Sequence, residues 1–348
     1  MRSPTSQTTS EGALLDAARA GDGDAFRRLV EPYRGVLHAH CYRLLASSHD
    51  ADDALQETLL RAWRALDRFV ARGSLRAWLY TIATNVSLRL IERRPRRVLP
   101  IEYGPPAEEQ VPLLESVWLE PYSGDPHLLD DEAAPEARYE QLETLELAFI
   151  AALQHLSPNQ RAALILRDGL GFSAEEVARS LGTTVGAVTS ALQRARRTVD
   201  ERVPEPTQQR TLRALGDERL RRLVEEYIAA LADGDVSRVL ALLTEEATWS
   251  MLAAEGDTAH GPRTWFRGRQ DIARFLGNGP LSGQWSWRHL AAEANGQLAV
   301  AGYLKDARDG KHRLRVLDVL TLDGARIAGV TAFLDPRPLS RLSLPAEI

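Results

Sequence analysis

Apolar residues recur at helical spacing from Gly12 to Arg97 and from Ser157 to Val199, and at strand spacing beyond Thr248. Leu14, Leu15 and Ala18 open one amphipathic helix, and Gly21-Asp22-Gly23-Asp24 ends it and caps the next. That second helix is expected to run through Phe26, Leu29, Val30, Val36, Leu37 and Leu44. A third opens after Ser47-Ser48-His49-Asp50, with Leu55, Leu59, Ala62, Trp63 and Leu66 on one stripe. Beyond Phe69 and the loop Val70 to Ser74, a fourth helix has Trp78, Leu79, Ile82, Val86 and Leu90 as its core face, and Pro95 ends it. Further along, Leu164, Ile165 and Leu166 form a helix core after Ser157-Pro158, broken at Gly169 to Gly171. Ser173 and Glu176 have capping-box spacing, Val177 and Leu181 share a face, Gly182 turns the chain, and Thr183 or Thr184 caps the next helix. There Val185, Val188, Leu192 and Val199 recur at inward spacing, and Arg194, Arg196 and Arg197 end the run. Two helices joined by a short glycine turn, the second basic, form a helix-turn-helix with a recognition helix suited to DNA.

After Val203-Pro204-Glu205-Pro206 the pattern changes. Leu220, Leu223, Val224, Tyr227, Ile228 and Leu231 make a long amphipathic helix, Gly234-Asp235 turns it, and Val239 to Leu243 make a second. Strands follow at Thr248 to Leu252 and Trp265-Phe266, then a helix from Gln270 to Leu276. Asn295-Gly296, Asp309-Gly310 and Asp323-Gly324, each between alternating apolar residues, predict a meander of hairpins. The chain is therefore read as multidomain, two all-α domains followed by an α+β domain. The expected boundaries are a disordered stretch 1–11, helices 12–98, a linker 99–139, the helix-turn-helix domain 140–203, a linker 204–212 and the α+β domain 213–340.

Composition narrows the function classes. The chain of 348 residues has no apolar run long enough to span a bilayer, and polar residues after Arg2 do not form a signal peptide, so a cytoplasmic location is expected. Cys41 is the only cysteine, which excludes an intramolecular disulfide and a cysteine-based zinc site. His260, His289 and His312 lack ligand spacing, so no metal or other cofactor is expected. The net charge of −5 is unevenly spread. Ile101 to Glu146 holds 13 acidic residues against one basic, Arg138, and is rich in proline, as in an extended solvated tether. Val111 to Tyr122 is the exception: Leu113, Leu114, Val117, Trp118, Leu119 and Tyr122 call for a partner surface.

Two clusters carry chemistry. Asp52, Asp53, Gln56 and Glu57 crowd acid onto the first turns of the third helix, part of which the helix dipole accounts for. On the fourth helix and its tail, Arg76, Arg89, Arg93, Arg94, Arg96 and Arg97 lie among Trp78, Thr81, Thr84 and Asn85, the mixture that unstacked single-stranded DNA requires. The order Asp52-Asp53-Ala54-Leu55-Gln56-Glu57-Thr58, then Leu75-Arg76-Ala77-Trp78-Leu79-Tyr80-Thr81-Ile82-Ala83-Thr84-Asn85, then the helix-turn-helix, resembles the extracytoplasmic-function sigma factors of bacterial RNA polymerase. The resemblance implies that Asp52, Asp53, Gln56 and Glu57 meet the clamp helices of the polymerase β′ subunit, with β as a further partner. It implies that Arg76, Trp78, Asn85, Arg89 and Arg93 act at the promoter −10 element, and Thr184, Val185, Thr189, Ser190, Arg194, Arg196 and Arg197 at the −35 element. One departure stands out: relatives commonly place a basic residue mid-way along the recognition helix, where this chain has Thr189-Ser190-Ala191.

Residues 213–336 resemble the cone-shaped domain of nuclear transport factor 2 and SnoaL-type polyketide cyclases, through Gly268-Arg269-Gln270-Asp271-Ile272 and the ending Ile327 to Asp335. Fused behind a sigma factor, such a domain is expected to contact the sigma domains in cis and regulate them; Trp118 and its neighbours would meet either polymerase or this domain. On the strand His312 to Leu322, Leu314, Val316, Asp318, Leu320 and Leu322 are expected on one face, and Trp249, Trp265, Trp285, Trp287 and His289 around the same cavity. A carboxylate there can serve as a base, so Trp249, Trp285 and Asp318 define a candidate ligand pocket. No catalytic residue is assigned. The reading is a sigma factor, not an enzyme; the alternatives are a cyclase or isomerase with an accessory DNA-binding region and a plain helix-turn-helix regulator.

Overall fold

A computed structural model describes residues 4–69, 74–94, 96–100, 118–122, 142–252 and 265–348, apart from the side chains of 4–10 and 336. Leu113, Leu114, Val117, Arg138, His260, Pro95, Val70 and most of the acidic linker lie outside the described residues. The chain divides into two compact units. The first comprises Met1–Arg94, Pro126–Ala134 and Leu156–Thr198, the second Pro95–Asp125, Pro135–His155 and Val199–Ile348.

In the first unit, α1 (Pro4–Arg19) begins earlier than the expected disordered stretch allows. Asp22 caps α2 (Gly23–Val30) by accepting from the backbone N–H groups of Asp24 and Ala25. The single helix expected from Phe26 to Leu44 is broken by a 3-10 turn, Glu31–Tyr33, because Pro32 removes a donor; α3 (Arg34–Leu45) follows. Ser47 caps α4 (Ser48–Ala65), and α5 spans Leu75–Ile91. These helices close on Leu29, Leu37, Leu44, Ala54, Leu66, Leu79 and Ala83, all nearly solvent-free. The buried side of α5 is Leu75, Leu79, Tyr80, Ala83, Thr84, Val86 and Ser87, so Trp78 lies beside the expected core face and is half-exposed. Both Ser157 and Ser173 form the reciprocal capping box, opening α7 (Pro158–Leu164) and α8 (Ala174–Ser180); a π-turn, Ile165–Gly169, separates them. The recognition helix α9 spans Val185–Asp200. Its buried residues are Val188, Leu192 and Ala195, whereas Val185, expected inside, is 40% exposed.

The second unit is built on a six-stranded sheet of order β2-β1-β6-β5-β4-β3. Its strands are β1 (Leu243–Leu252), β2 (Trp265–Arg267), β3 (Trp287–Ala294), β4 (Gln297–Lys305), β5 (His312–Asp323) and β6 (Arg326–Phe333). Asn295 and Gly296 both have positive φ, as a type I′ hairpin requires. One face packs against α11 (Asp217–Ala232), α12 (Val236–Leu242) and α13 (Arg269–Asn278) through Tyr227, Leu231, Val239, Trp249, Ile272, Leu276, Val300 and Leu320. The other face, centred on Ala299, Ala301, Tyr303, Leu317, Val319 and Phe333, is covered by Leu99, Trp118 and Leu147 from the linker side and by Leu339 and Leu342 from the C-terminal end. A bulge between Val316 and Leu314 moves Leu314 to this second face, against the strict alternation expected. Where a linker was expected, Gln208–Leu215 forms a helix, α10, capped by Thr207. The helix α6 (Leu147–Leu153), counted in the sequence with the helix-turn-helix, belongs to this unit.

Candidate nucleic-acid and polymerase interfaces

Helix α4 turns a mixed face to solvent. Asp53 and Gln56 are exposed, and Leu60, 43% exposed, stands one turn further on. Asp52 is half-buried with an oxygen 3.1 Å from His38 Nε2, and Glu57 receives Arg61 Nε at 2.6 Å. The acid is thus of two kinds, two carboxylates held by neighbours and one, Asp53, presented beside the Gln56 amide. Carboxylate and imidazole atoms of His49, Asp50 and Asp53 lie within 4.8 Å of one another, but buried Asp50 already meets the guanidinium of Arg94. The exposed leucine one turn beyond Gln56 was missed in the sequence because Leu59 and Leu60 are adjacent and only the helical phase tells which points out.

Helix α5 presents Arg76, Trp78, Thr81 and Asn85 as half-buried groups, with Arg89 on it and Arg93 just past its end exposed. Asn85 Nδ2 donates to Thr81 O at 2.9 Å. Beneath, His40 meets the Thr84 hydroxyl at 2.8 Å, and burial drives its pKa down to about 3, so the imidazole is neutral. The same burial pushes the Cys41 thiol up to about 12. Phe172, at the entry to the helix-turn-helix, packs edge-on against Tyr80, ring centroids 5.7 Å apart, and the Arg76 guanidinium lies 5.3 Å from the Tyr80 ring and 5.6 Å from that of Phe172. A cavity of about 340 Å3 lies beside them, lined among others by Phe69, Trp78, Glu176 and Arg179. Arg161 Nη1 reaches the Leu44 carbonyl at the end of α3, at 2.5 Å.

Thr184, just before α9, and Val185, Thr189, Ser190, Arg194, Arg196 and Arg197 on it are all exposed, so each of the seven −35 candidates reaches solvent. They are not equivalent. Arg196 is held by Asp168 in a two-pronged ion pair, Nε to Oδ2 at 2.8 Å and Nη2 to Oδ1 at 2.7 Å, and the Thr189 hydroxyl donates back to Val185 O at 3.0 Å. Backbone N–H donation from Ser173 keeps Glu176 ionised by holding its carboxyl below the usual range.

The three pocket candidates of the α+β domain separate. Asp318 is buried and accepts from the Tyr227 hydroxyl at 3.1 Å; burial pushes its pKa up to about 7, and the tyrosine is raised as well. Trp249 is buried nearby, packed at 6.0 Å from Phe275. Trp285 is 49% exposed, because it lies in the bend before β3, and so it does not line the interior with them. His289 is half-buried on the β3 row facing Gly302, with its pKa lowered to about 4 by burial.

A second polar centre in this unit was not foreseen. Asn295 Oδ1 accepts from Tyr122 N at 2.9 Å, its Nδ2 donates to Leu145 O at 2.9 Å, and its own N–H donates to Tyr122 O at 3.0 Å. Gln297 Oε1 accepts from Leu147 N at 2.9 Å. Gln208 makes a paired bond with the backbone of Leu322, and Gln209 donates to Gly296 O. Glu146, 2% exposed, accepts from the N–H groups of Gln208 and Gln209 at 3.1 and 2.8 Å, while burial raises its pKa to about 7. The β3–β4 hairpin and α10 thereby fasten two stretches of linker, 118–122 and 142–147.

Sequence models of three families match the chain: sigma-70 region 2 over residues 29–97, sigma-70 region 4 over 146–199, and the SnoaL-like domain over 224–330. The sigma factor SigG of Mycobacterium tuberculosis, an extracytoplasmic-function (ECF) RNA polymerase sigma factor, is 41% identical over 335 residues, 95% of this chain and 86% of SigG. The chain is an ECF sigma factor. Its helical part is also 30% identical over 198 residues to the sigma-E factor of Escherichia coli, covering 57% of this chain and 96% of that protein. The crystal structure of the Mycobacterium tuberculosis ECF sigma factor SigJ has the same fold, with TM-score 0.59 at 22% identity, over 91% of this sigma factor and 99% of SigJ. Both sigma regions are therefore present, and a SnoaL-like domain is fused behind them. Among the described residues of this sigma factor, no helix is long and apolar enough to cross a membrane.

Proposed function

We propose that α4 docks on the clamp helices of the polymerase β′ subunit through Asp53, Gln56 and Leu60, with Asp52 and Glu57 shaping that face. Arg76, Trp78, Asn85, Arg89 and Arg93 then act on the −10 element, and the exposed face of α9 acts on the −35 element. The SnoaL-like domain regulates in cis, and its role is non-catalytic. The observation that carries the regulatory reading is the fastening of linker residues 118–122 and 142–147 by Asn295, Gln297 and α10. A linker held at both ends restricts the separation of the regions it joins, and a polymerase that needs them spread over two promoter elements selects against the held state. In the first unit the −10 helix has Arg76 stacked on Phe172, a contact that promoter binding has to displace. A coupling of about 1–3 kcal/mol shifts activity by roughly five- to 150-fold.

The test is in vitro transcription with purified core polymerase, comparing the full chain with a truncation after Pro206 at equal folded concentration. The truncated protein is expected to be more active with unchanged −10 and −35 preferences. Equal activity of the two would remove the regulatory role. Asp53→Arg in the full chain is expected to abolish polymerase binding without unfolding the domain, because an exposed charge contributes little to stability.

A further inference from the structure

The recognition helix holds a glycine that its own fold does not use. Gly186 lies in the first turn of α9, and a Cβ built on it meets nothing within 4 Å. Glycine is a poor helix former, so a bare position with room for a side chain is a local weakness without an internal reason. The buried residues Val188, Leu192 and Ala195 define the inward side of α9. At 3.6 residues per turn the opposite stripe is Gly186, Ser190, Gln193 and Arg197, all exposed. A missing side chain at the start of that stripe lets the backbone come closer to whatever the helix meets.

What the stripe can read follows from its chemistry. The Thr189 hydroxyl is turned back onto Val185 O, and the Arg196 guanidinium is occupied by Asp168. Arg194 and Arg197 lie in the last turns, where phosphates run past a helix seated by its N-terminus. Ser190 and Gln193 remain on the stripe, one and two turns beyond Gly186. A carboxamide carries a donor and an acceptor side by side and matches N7 and N6 of adenine in the major groove, whereas guanine offers two acceptors and suits a guanidinium.

We propose that Gln193 is a specificity-determining residue that reads an adenine in the −35 element, and that Gly186 is bare so that α9 seats deeply enough for it to reach. This rests on the assignment of α9 to the −35 element. The experiment uses core polymerase reconstituted with the full chain on promoter fragments randomised across the −35 positions, with bound fragments sequenced. The wild type is expected to select adenine at one position. Gln193→Ala is expected to lose that preference alone and to bind the selected site about 10- to 100-fold more weakly. Gln193→Glu is expected to move the preference there from adenine to cytosine, whose amino group donates to a carboxylate. Gly186→Ala is expected to melt no lower than wild type while binding all −35 sequences more weakly. A base preference unchanged in both Gln193 variants overturns the readout, and wild-type binding by Gly186→Ala overturns the seating, with the −35 assignment intact in either case. A wild type with no −35 preference at all overturns that assignment instead, and this inference with it.

Discussion

Two junctions in this sigma factor do opposite things with different kinds of residue. In the first unit the helix-turn-helix meets α5 through rings and one guanidinium, Tyr80, Phe172 and Arg76, next to a cavity of about 340 Å3. In the second, the linker meets the SnoaL-like domain through side-chain amides whose donors and acceptors are nearly all engaged with backbone. Aromatic contacts are weakly directional and survive a change of angle, whereas an amide pair lost in a buried setting leaves unsatisfied groups behind. The first junction is thus suited to opening at low cost and the second to staying shut.

The sharpest way to break that contrast is at Asn295. Asn295→Ala removes two linker bonds and forces alanine into a positive φ of 55°, so we expect a loss of about 3–5 kcal/mol in the second unit, read by denaturant unfolding. A loss below about 1 kcal/mol would show that the amide network holds nothing. Next in size is Phe172→Ala, expected to lower the stability of the first unit by about 2–3 kcal/mol while raising affinity for single-stranded −10 DNA, measured by fluorescence anisotropy. Unchanged affinity would mean that the ring does not cover the α5 face.

Much of this contrast was legible beforehand, though unevenly. The capping box at Ser173 and the Asn295-Gly296 turn follow from short-range chemistry, and the structure has both; the box that Ser157 forms with Gln160 has the same spacing and was not read. The same Asn-Gly pair was read only as a turn, since nothing in sequence shows that its amide reaches a residue 173 positions earlier. Gln208 and Gln209 were assigned to a linker because polar residues near proline usually mark one; their burial depends on Glu146 and Leu322, both distant in sequence. Trp285 went the other way, an aromatic expected inside that a bend leaves in solvent. Long-range partners, not local propensities, decided each of these.

The buried carboxyls sharpen the comparison by a smaller amount. Burial raises Asp318 and Glu146 to about 7 from ordinary values of 3.8 and 4.5. Both bind protons more tightly in the folded chain, so the stability they contribute is full at low pH and falls as pH rises from about 4.5 to 7. Melting of the second unit is expected to drop across that window by on the order of 2 kcal/mol per group, and Asp318→Asn or Glu146→Gln should each flatten part of it. A profile unaffected by either substitution would refute the burial effect. The smallest effect is expected at Asp168→Asn, which frees Arg196: stability changes by less than about 1 kcal/mol, and the salt slope of DNA binding steepens by roughly one contact. An unchanged slope would show that Arg196 faces away from phosphate even when released.

The order in which the chain is made gives the amide junction a history. Leu145 leaves the ribosome 150 residues before Asn295, the residue that holds its carbonyl. At about 5–20 residues per second, roughly 5–20 s pass between Val199, where the second sigma region ends, and Asn295, and in that interval both sigma regions exist and the hairpin that fastens their linker does not. Each molecule is therefore synthesised with its sigma regions unfastened, and the linker is fastened only once the hairpin has emerged.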